Sequence, residues 1–282
     1  KFFAAAHPDR FFDCGIAECD MTGIAAGMAA SGLKPFTNTF AIFAAGRAYE
    51  QVRNSVAYPR LNVVVVGSHG GVSVGEDGAT HQCVEDFALM RDIPGMLVCC
   101  PCDGHEMRLA VEALLNYDGP AYLRLERPAS DVFTDEIPGY SFELGRGATL
   151  RDGRDLSIIA NGLMVGMALK AADILAAEGV DARVIDMHTV KPLDEALVLK
   201  AAKETGCIVT TEEHSVVGGL GGAVCEFLSG KYPVPVLRHG ARLIRQSLAI
   251  IEYLDETHPD PPLLPAVSRD RARVRALAMA VA

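Results

Sequence analysis

Glu18 lies where an apolar run gives way to a helix rich in small residues, in DCGIAECDMTGIAAGMAASG (13–32). Gly23 and Gly27 stand four apart, so they share a helical face and allow close backbone approach despite their cost in helix propensity. A carboxylate at such a turn is either a charge complementing a helix N-terminus or a buried acid. In the second case it points into a cleft at the carboxyl end of a strand, where open α/β sheets place ligands. Further on, GSHGGVSVGEDGATHQ (67–82) packs five glycines around His69, Glu76, Asp77 and His81. Glycines let backbone approach a ligand, and two histidines with acids suit proton transfer and hydrogen bonding to hydroxyls or phosphate. The convergence of polar groups favours function over a merely solvated loop.

Three further features stand beside these. Phe40 and Phe43 sit three apart in TFAIF, on one side of a helix entrance, and taken alone they read as core packing. Arg127 follows AYLRLE, where it serves either a surface ion pair or as a phosphate clamp with planar donor geometry. TEEHSVVGGLGG (211–222) looks like a glycine-rich nucleotide turn. It does not fit GxGxxG and no acid ends a following strand at the right distance, so a dinucleotide site is discounted.

The elements that must position these residues follow from pattern. Apolar β-branched runs alternate with helical stretches. Strands are predicted at 34–39, 61–67, 96–100 and 121–125, with helices at 43–57, 82–91 and 103–117. The continuous run LNVVVVG suits a strand covered on both faces. A second series begins at Leu156 with LSIIANG, a helix over 164–178, ARVIDMHTV, a helix opened by Pro192 and Asp194, CIVTTEE, a helix at 222–228 and a short strand at 234–237. The fold class expected is therefore α/β, two mostly parallel-sheet domains with a helical tail. The division is 1–130, a proline- and glycine-rich linker at 131–152, a smaller domain at 153–239, and a tail at 240–282.

The 282 residues are 50% hydrophobic and 22% charged, as in a globular protein of two domains. A net charge of −10 argues against nucleic-acid binding. No apolar run is long enough for a membrane span and no secretory leader is visible. The eight cysteines form no disulfide framework. Without a second pair at ligand spacing they offer no zinc site, so no metal ligand is expected among them. Reduced, buried thiols in a cytoplasmic protein are the better reading.

Taken in order and spacing, FFDCGIAE, PFTNTFAIFAAGRAYEQVRN and GSHGGVSVGEDGATHQ resemble the pyrimidine-binding domain of transketolase. The chain looks most like the separately encoded C-terminal subunit of split transketolases, and the likeness continues through LRLERP and TEEHSVVGGLGG. It covers residues 1 to about 240. The resemblance implies thiamine diphosphate, with Glu18 on the aminopyrimidine N1′, Phe40 and Phe43 as the aromatic wall, and Ile16 beside them. It implies that His69 and His81 contact the sugar and assist proton transfer, that Asp77 recognises a donor hydroxyl, and that Arg127 holds the substrate phosphate. Burial is expected to raise the Glu18 pKa so that it shares a proton at neutral pH.

The family's GDG motif for diphosphate and Mg²⁺ is absent from this sequence. A transketolase N-terminal subunit is therefore the implied partner, holding most of the Mg²⁺ contacts, with self-association as a dimer expected and sugar phosphates of the pentose phosphate type as substrates. Gly46 replaces an aromatic of many full-length relatives, and the domain's first strand would precede Lys1. From about Gly240, ARLIRQSLAIIEYLDETHPDPPLLPAVSRDRARVRALAMAVA resembles a zeta-class glutathione transferase or maleylacetoacetate isomerase. Gln246 and Ser247 match its glutathione-binding pair, yet without the preceding βαβ unit no glutathione chemistry is expected. Two other readings are a 1-deoxyxylulose-5-phosphate synthase or 2-oxoacid dehydrogenase β-subunit, which share the GIAE glutamate, and a non-catalytic binding or dimerising module.

Overall fold

A computed structural model describes residues 2–234 and the backbone of two short strands, Arg238–His239 and Arg242–Leu243. The strand expected at 234–237 falls largely outside the described residues, as does the tail apart from Arg242–Leu243, with Gln246 and Ser247 beyond them.

After a short helix α1 (Phe2–Ala6), α2 (Glu18–Ala30) leads into β1 (Phe36–Phe40) and a helical stretch α3 (42–57). This stretch is two wide turns, Ile42–Arg47 and Val52–Ala57, around one ordinary turn at Tyr49–Gln51. Their i→i+5 character shows in Ala48 N–H donating to the Phe43 carbonyl at 3.1 Å. Wide turns of this kind gather at functional sites. Next come β2 (Val64–Ser68), α4 (Asp86–Asp92), β3 (Leu97–Cys99), α5 (Gly104–Asn116) and β4 (Ala121–Arg124). Helix α4 starts later than the expected 82, because Cys83 is held in an extended bridge with Gly71. The second series is β5 (Ala148–Arg151), β6 (Leu156–Ala160), α6 (Met164–Ala177), β7 (Ala182–Asp186), β8 (Thr189–Lys191), α7 (Glu195–Thr205), β9 (Ile208–Thr211) and α8 (Leu220–Lys231). The stretch that composition marks as linker thus contains a strand, β5.

The first sheet runs β1-β2-β4-β3-β8 and the second β5-β7-β6-β9. Pairings are parallel except β3 with β8 and β5 with β7. The chain is therefore α/β with two mostly parallel sheets. Strand β8 comes from the second series but completes the first sheet.

Burial explains the apolar runs. Along β2 and the residue before it the side chains alternate between two cores: Val63 and Val65 join one with Phe87 and Met90, while Val64 and Val66 pack with Leu97, Ala110 and Leu114. All four valines are buried, each contributing roughly 1.5–3 kcal/mol by removal from water. The first core continues through the seam between the sheets to Ile159, Ile185, Met187 and Leu220. A third core lies under α6, around Val165, Ala168 and Val184. Helix α5 is capped by Asp103, which accepts from Glu106 N–H at 2.8 Å, and α7 by Asp194, which accepts from Leu197 N–H at 3.0 Å.

All eight cysteines are free. The expectation that they are buried holds for Cys83, Cys99, Cys100 and Cys102, whereas Cys19 and Cys225 are exposed and Cys14 and Cys207 partly so. Among the described residues no helix is long and apolar enough to cross a membrane.

Candidate active site

Glu18 is the first residue of α2 and only 7% exposed. Its Oε2 accepts from Arg47 Nη1 at 2.9 Å, and the Arg47 side chain is half exposed. The pair lines an open recess of about 300 Å³ with Ile16, Ala17, Cys19 and Asp20. Ile16 stands at the rim, 94% exposed. The expected rise in the Glu18 pKa is not what the arrangement produces. Burial pushes it up, but its own backbone N–H and the Arg47 guanidinium outweigh burial and hold it below the usual carboxylate value.

Arg47 carries the site onward. Its guanidinium lies over the Phe43 ring, 4.4 Å from the centroid. Phe43 stacks on Phe40 at 6.1 Å, Phe40 stacks on His69 at 4.0 Å, and His81 meets both phenylalanines edge-on at 5.9 and 5.5 Å. One contiguous run, Glu18–Arg47–Phe43–His81–Phe40–His69, therefore joins residues from α2, α3, the end of β1 and the loop after β2. The two phenylalanines are half-buried in this wall and absent from the sheet cores.

His69 has φ +59°, a left-handed backbone that costs a non-glycine residue energy and recurs at functional sites. Its Nδ1 is 3.0 Å from Ser68 Oγ, which donates to the Thr39 carbonyl at 3.2 Å. Burial, and then Arg127, depress the His69 pKa against a smaller opposing pull from Asp77, so the ring is neutral at neutral pH. Arg127 pairs with Glu76 at 2.6 Å, lies 3.8 Å from Asp77, and donates to the Val74 carbonyl. Both arms of the guanidinium are engaged by this loop, so a phosphate there has to displace the exposed Glu76 carboxylate.

Below the loop lies a network that the motifs did not point to. Arg124 is fully buried, its Nε 3.5 Å from Asp86 Oδ2 and its Nη2 donating to the Glu213 carbonyl at 2.7 Å. Tyr122 Oη donates to the same Asp86 oxygen at 2.8 Å. The Phe87 ring is in contact with both Arg124 and His214. Ser73 Oγ donates to Glu213 Oε2 at 2.7 Å across the domain seam. Arg47 was legible in principle, four residues after Phe43 on a helix. Ser73–Glu213 was not, because its partners are 140 residues apart.

The discounted glycine turn has a structural reason to be silent. Glu212 accepts from Leu220 N–H at 2.6 Å and Gly221 N–H at 2.8 Å, filling the start of α8 where a phosphate would bind.

The recess and the wall beside it suit an aminopyrimidine: a carboxylate for a ring nitrogen, aromatic rings reached through Arg47, and an arginine side chain half exposed at the opening. The three groups among the described residues close enough to share a cation, Cys102, Glu106 and Asp186, are fully buried elsewhere in the fold and take no part in the recess.

Comparison with known proteins bears on the same elements. Residues 1–131 match the family described as transketolase, pyrimidine binding domain, and residues 145–262 the family described as transketolase, C-terminal domain. The second match runs past the junction read at Gly240. A 6-deoxy-6-sulfo-D-fructose transketolase subunit from Clostridium sp. is 45% identical over 91% of this chain and 79% of its own length. A 1-deoxy-D-xylulose-5-phosphate synthase from Heliobacterium modesticaldum is 43% identical over 80% of this chain, a match spanning 35% of that enzyme. A solved split-gene transketolase, described as an inactive beta4 tetramer, is 44% identical with a TM-score of 0.77, covering 99% of this chain and 87% of its own.

Proposed function

The chain belongs to the transketolase family as a C-terminal subunit of the split type, and from that premise we propose that it forms the pyrimidine-side half of a thiamine diphosphate site. A separately encoded N-terminal subunit completes the site with the diphosphate and Mg²⁺ contacts. The reaction is transfer of a two-carbon ketol unit from a ketose phosphate to an aldose phosphate. The observation that carries this reading is the single run from Glu18 through Arg47, Phe43, His81 and Phe40 to His69, whose Glu18–Arg47 end opens on a recess.

Thiamine diphosphate, when bound, supplies the nucleophilic carbon and stabilises the carbanion, leaving the protein to bind, orient and move protons. Glu18 presents Oε2 to the ring nitrogen once Arg47 swings out, which its half-exposed side chain permits. Release from Arg47 removes two of the influences lowering the Glu18 pKa, so burial gains weight and the carboxyl holds a proton more readily. Phe43, Phe40 and Ile16 flank the pyrimidine. His69 and His81, held ring to ring against Phe40, accept and return protons at the sugar. Asp77 reads a donor hydroxyl. Arg127 takes the phosphate as Glu76 gives way, a planar fork suited to that anion. The Clostridium relative is named for a sulfosugar, so the sugar pair is part of the proposal, with pentose phosphates as its starting case.

A mixture test decides. Xylulose 5-phosphate and ribose 5-phosphate are supplied with thiamine diphosphate and Mg²⁺, to this chain alone and to the chain with a split-type N-terminal subunit. Activity is expected only in the mixture. Glu18→Ala should then cut turnover by at least ~100-fold, as for loss of a general acid–base group, and a near-normal rate would remove Glu18 from the chemistry. The synthase reading is favoured by the 43% match above; pyruvate accepted as donor would support it against ketol transfer.

A further inference from the structure

We propose that Glu213, in the second domain, is a positioning residue for the sugar-contacting loop of the first. The inference rests on the functional reading above, and it gives the second domain a direct part in donor recognition. Three observations converge on the loop. Ser73 Oγ donates to Glu213 Oε2 at 2.7 Å, midway between His69 and Asp77 in the chain. Gly71 has φ +87°, and a methyl group added there would meet Glu213 Cβ at 2.6 Å, so the loop backbone lies against the Glu213 side chain as closely as a glycine allows. Arg124, locked beneath by Asp86 and Phe87, donates to the Glu213 carbonyl at 2.7 Å, and Ser215 N–H donates to the Val84 carbonyl at 2.8 Å.

The segment carrying Glu213 is thus fixed on a rigid base, while its carboxylate reaches across the seam to Ser73. Beyond Ser73 the loop is exposed from Gly75 to Asp77. There it holds Glu76 and Asp77 against Arg127. Without the Glu213 contact the stretch between Gly71 and Asp77 keeps its bonds to Arg127, the Gly71–Cys83 backbone pair and the Gln82–Val72 hydrogen bond of 2.9 Å, but loses its side-chain tie to the second domain. Asp77 then meets the donor in several positions in place of one. A loosely held recognition group weakens binding more than chemistry, so the expected signature is in KM for the donor.

The test uses the full chain with its N-terminal partner and compares Glu213→Ala, Ser73→Ala and Glu213→Gln. The glutamine keeps an oxygen that accepts from Ser73. Both alanine variants should raise KM for xylulose 5-phosphate by about 3- to 10-fold, the worth of one hydrogen bond, with kcat changed less than about 2-fold. Glu213→Gln should restore most of the loss. Amide exchange of residues 71–77, read by mass spectrometry on the chain itself, should quicken in the alanine variants and return in the glutamine variant. Exchange unchanged in Glu213→Ala overturns the clamp, whether or not the wild-type mixture turns over sugar. Faster exchange with an unchanged donor KM overturns the positioning role. A wild-type mixture inert towards every sugar phosphate overturns the functional reading while leaving the exchange result to judge the clamp.

Discussion

Two glycine-rich segments follow strands in this chain, and they have opposite fates. The first, 67–78 from the end of β2, holds His69 against the Phe40 ring and Asp77 beside Arg127, with His81 just beyond. The second, 218–222 at the start of α8, has its helix-start donors taken by the carboxylate of Glu212. Glycines abound in both, five in 67–78 and four in 218–222, so glycine alone does not make a site. What differs is whether the backbone donors and the space they create are already satisfied from within the chain.

The sharpest way to break this contrast is Gly71→Ala. Its φ of +87° and the 2.6 Å approach to Glu213 Cβ combine backbone strain with a clash against a braced neighbour. A loss of about 2–4 kcal/mol in denaturant-measured stability is expected. A tolerated alanine would mean that the first loop is as permissive as any surface turn. Next in size is Glu212→Ala, expected to cost about 1–2 kcal/mol by leaving two helix-start donors without their acceptor. Added sulfate should recover part of that loss in a thermal melt of the variant and none in the wild type. If sulfate does nothing for the variant, the second segment is silent for some reason other than the Glu212 plug.

A smaller effect separates the loops by pH. The His69 pKa is depressed by burial and by Arg127, so the unfolded chain takes up this proton before the folded one does. Its contribution to stability is full above the ordinary histidine value of 6.5 and is lost as pH falls through the folded value. His69→Gln should flatten stability over that window, and the ring resonances of His69 should titrate below 6.5; titration above it would contradict the geometry. The smallest change is Gly222→Ala, where the nearest side-chain atoms lie at an ordinary 3.6 Å. It should stabilise α8 by about 0.5–1 kcal/mol. Set against Gly71→Ala, the same substitution then has opposite signs in the two segments.

Much of this was legible in the residues, for identifiable reasons. Val63 to Val66 read as a doubly covered strand because their side chains serve cores on both faces. Glu18, Phe40, Phe43 and His69 could be picked out because each lies at the carboxyl end of a strand or at a helix start, and His81 because it shares the glycine-rich loop after β2. Three things were hidden. Strand β5 is four residues long and flanked by glycines, so composition looked like linker. The Glu18 pKa turns on Arg47, which approaches through tertiary structure from 29 residues away. The Ser73–Glu213 bond joins two domains, and no local pattern encodes a contact of that span.

The strand β8 gives the last consequence. Its sequence lies beyond β7 of the second sheet, yet its hydrogen bonds go to β3 of the first. The second half of the chain therefore finishes the first sheet, and removing it at the 131–147 stretch would leave β3 without a neighbour on that side. The two halves cannot be traded between proteins as independent modules. In heredity as in heat, they should travel together: shuffled genes that move one without the other should yield insoluble product, and a melt of the intact chain should show one transition where two family descriptions would suggest two.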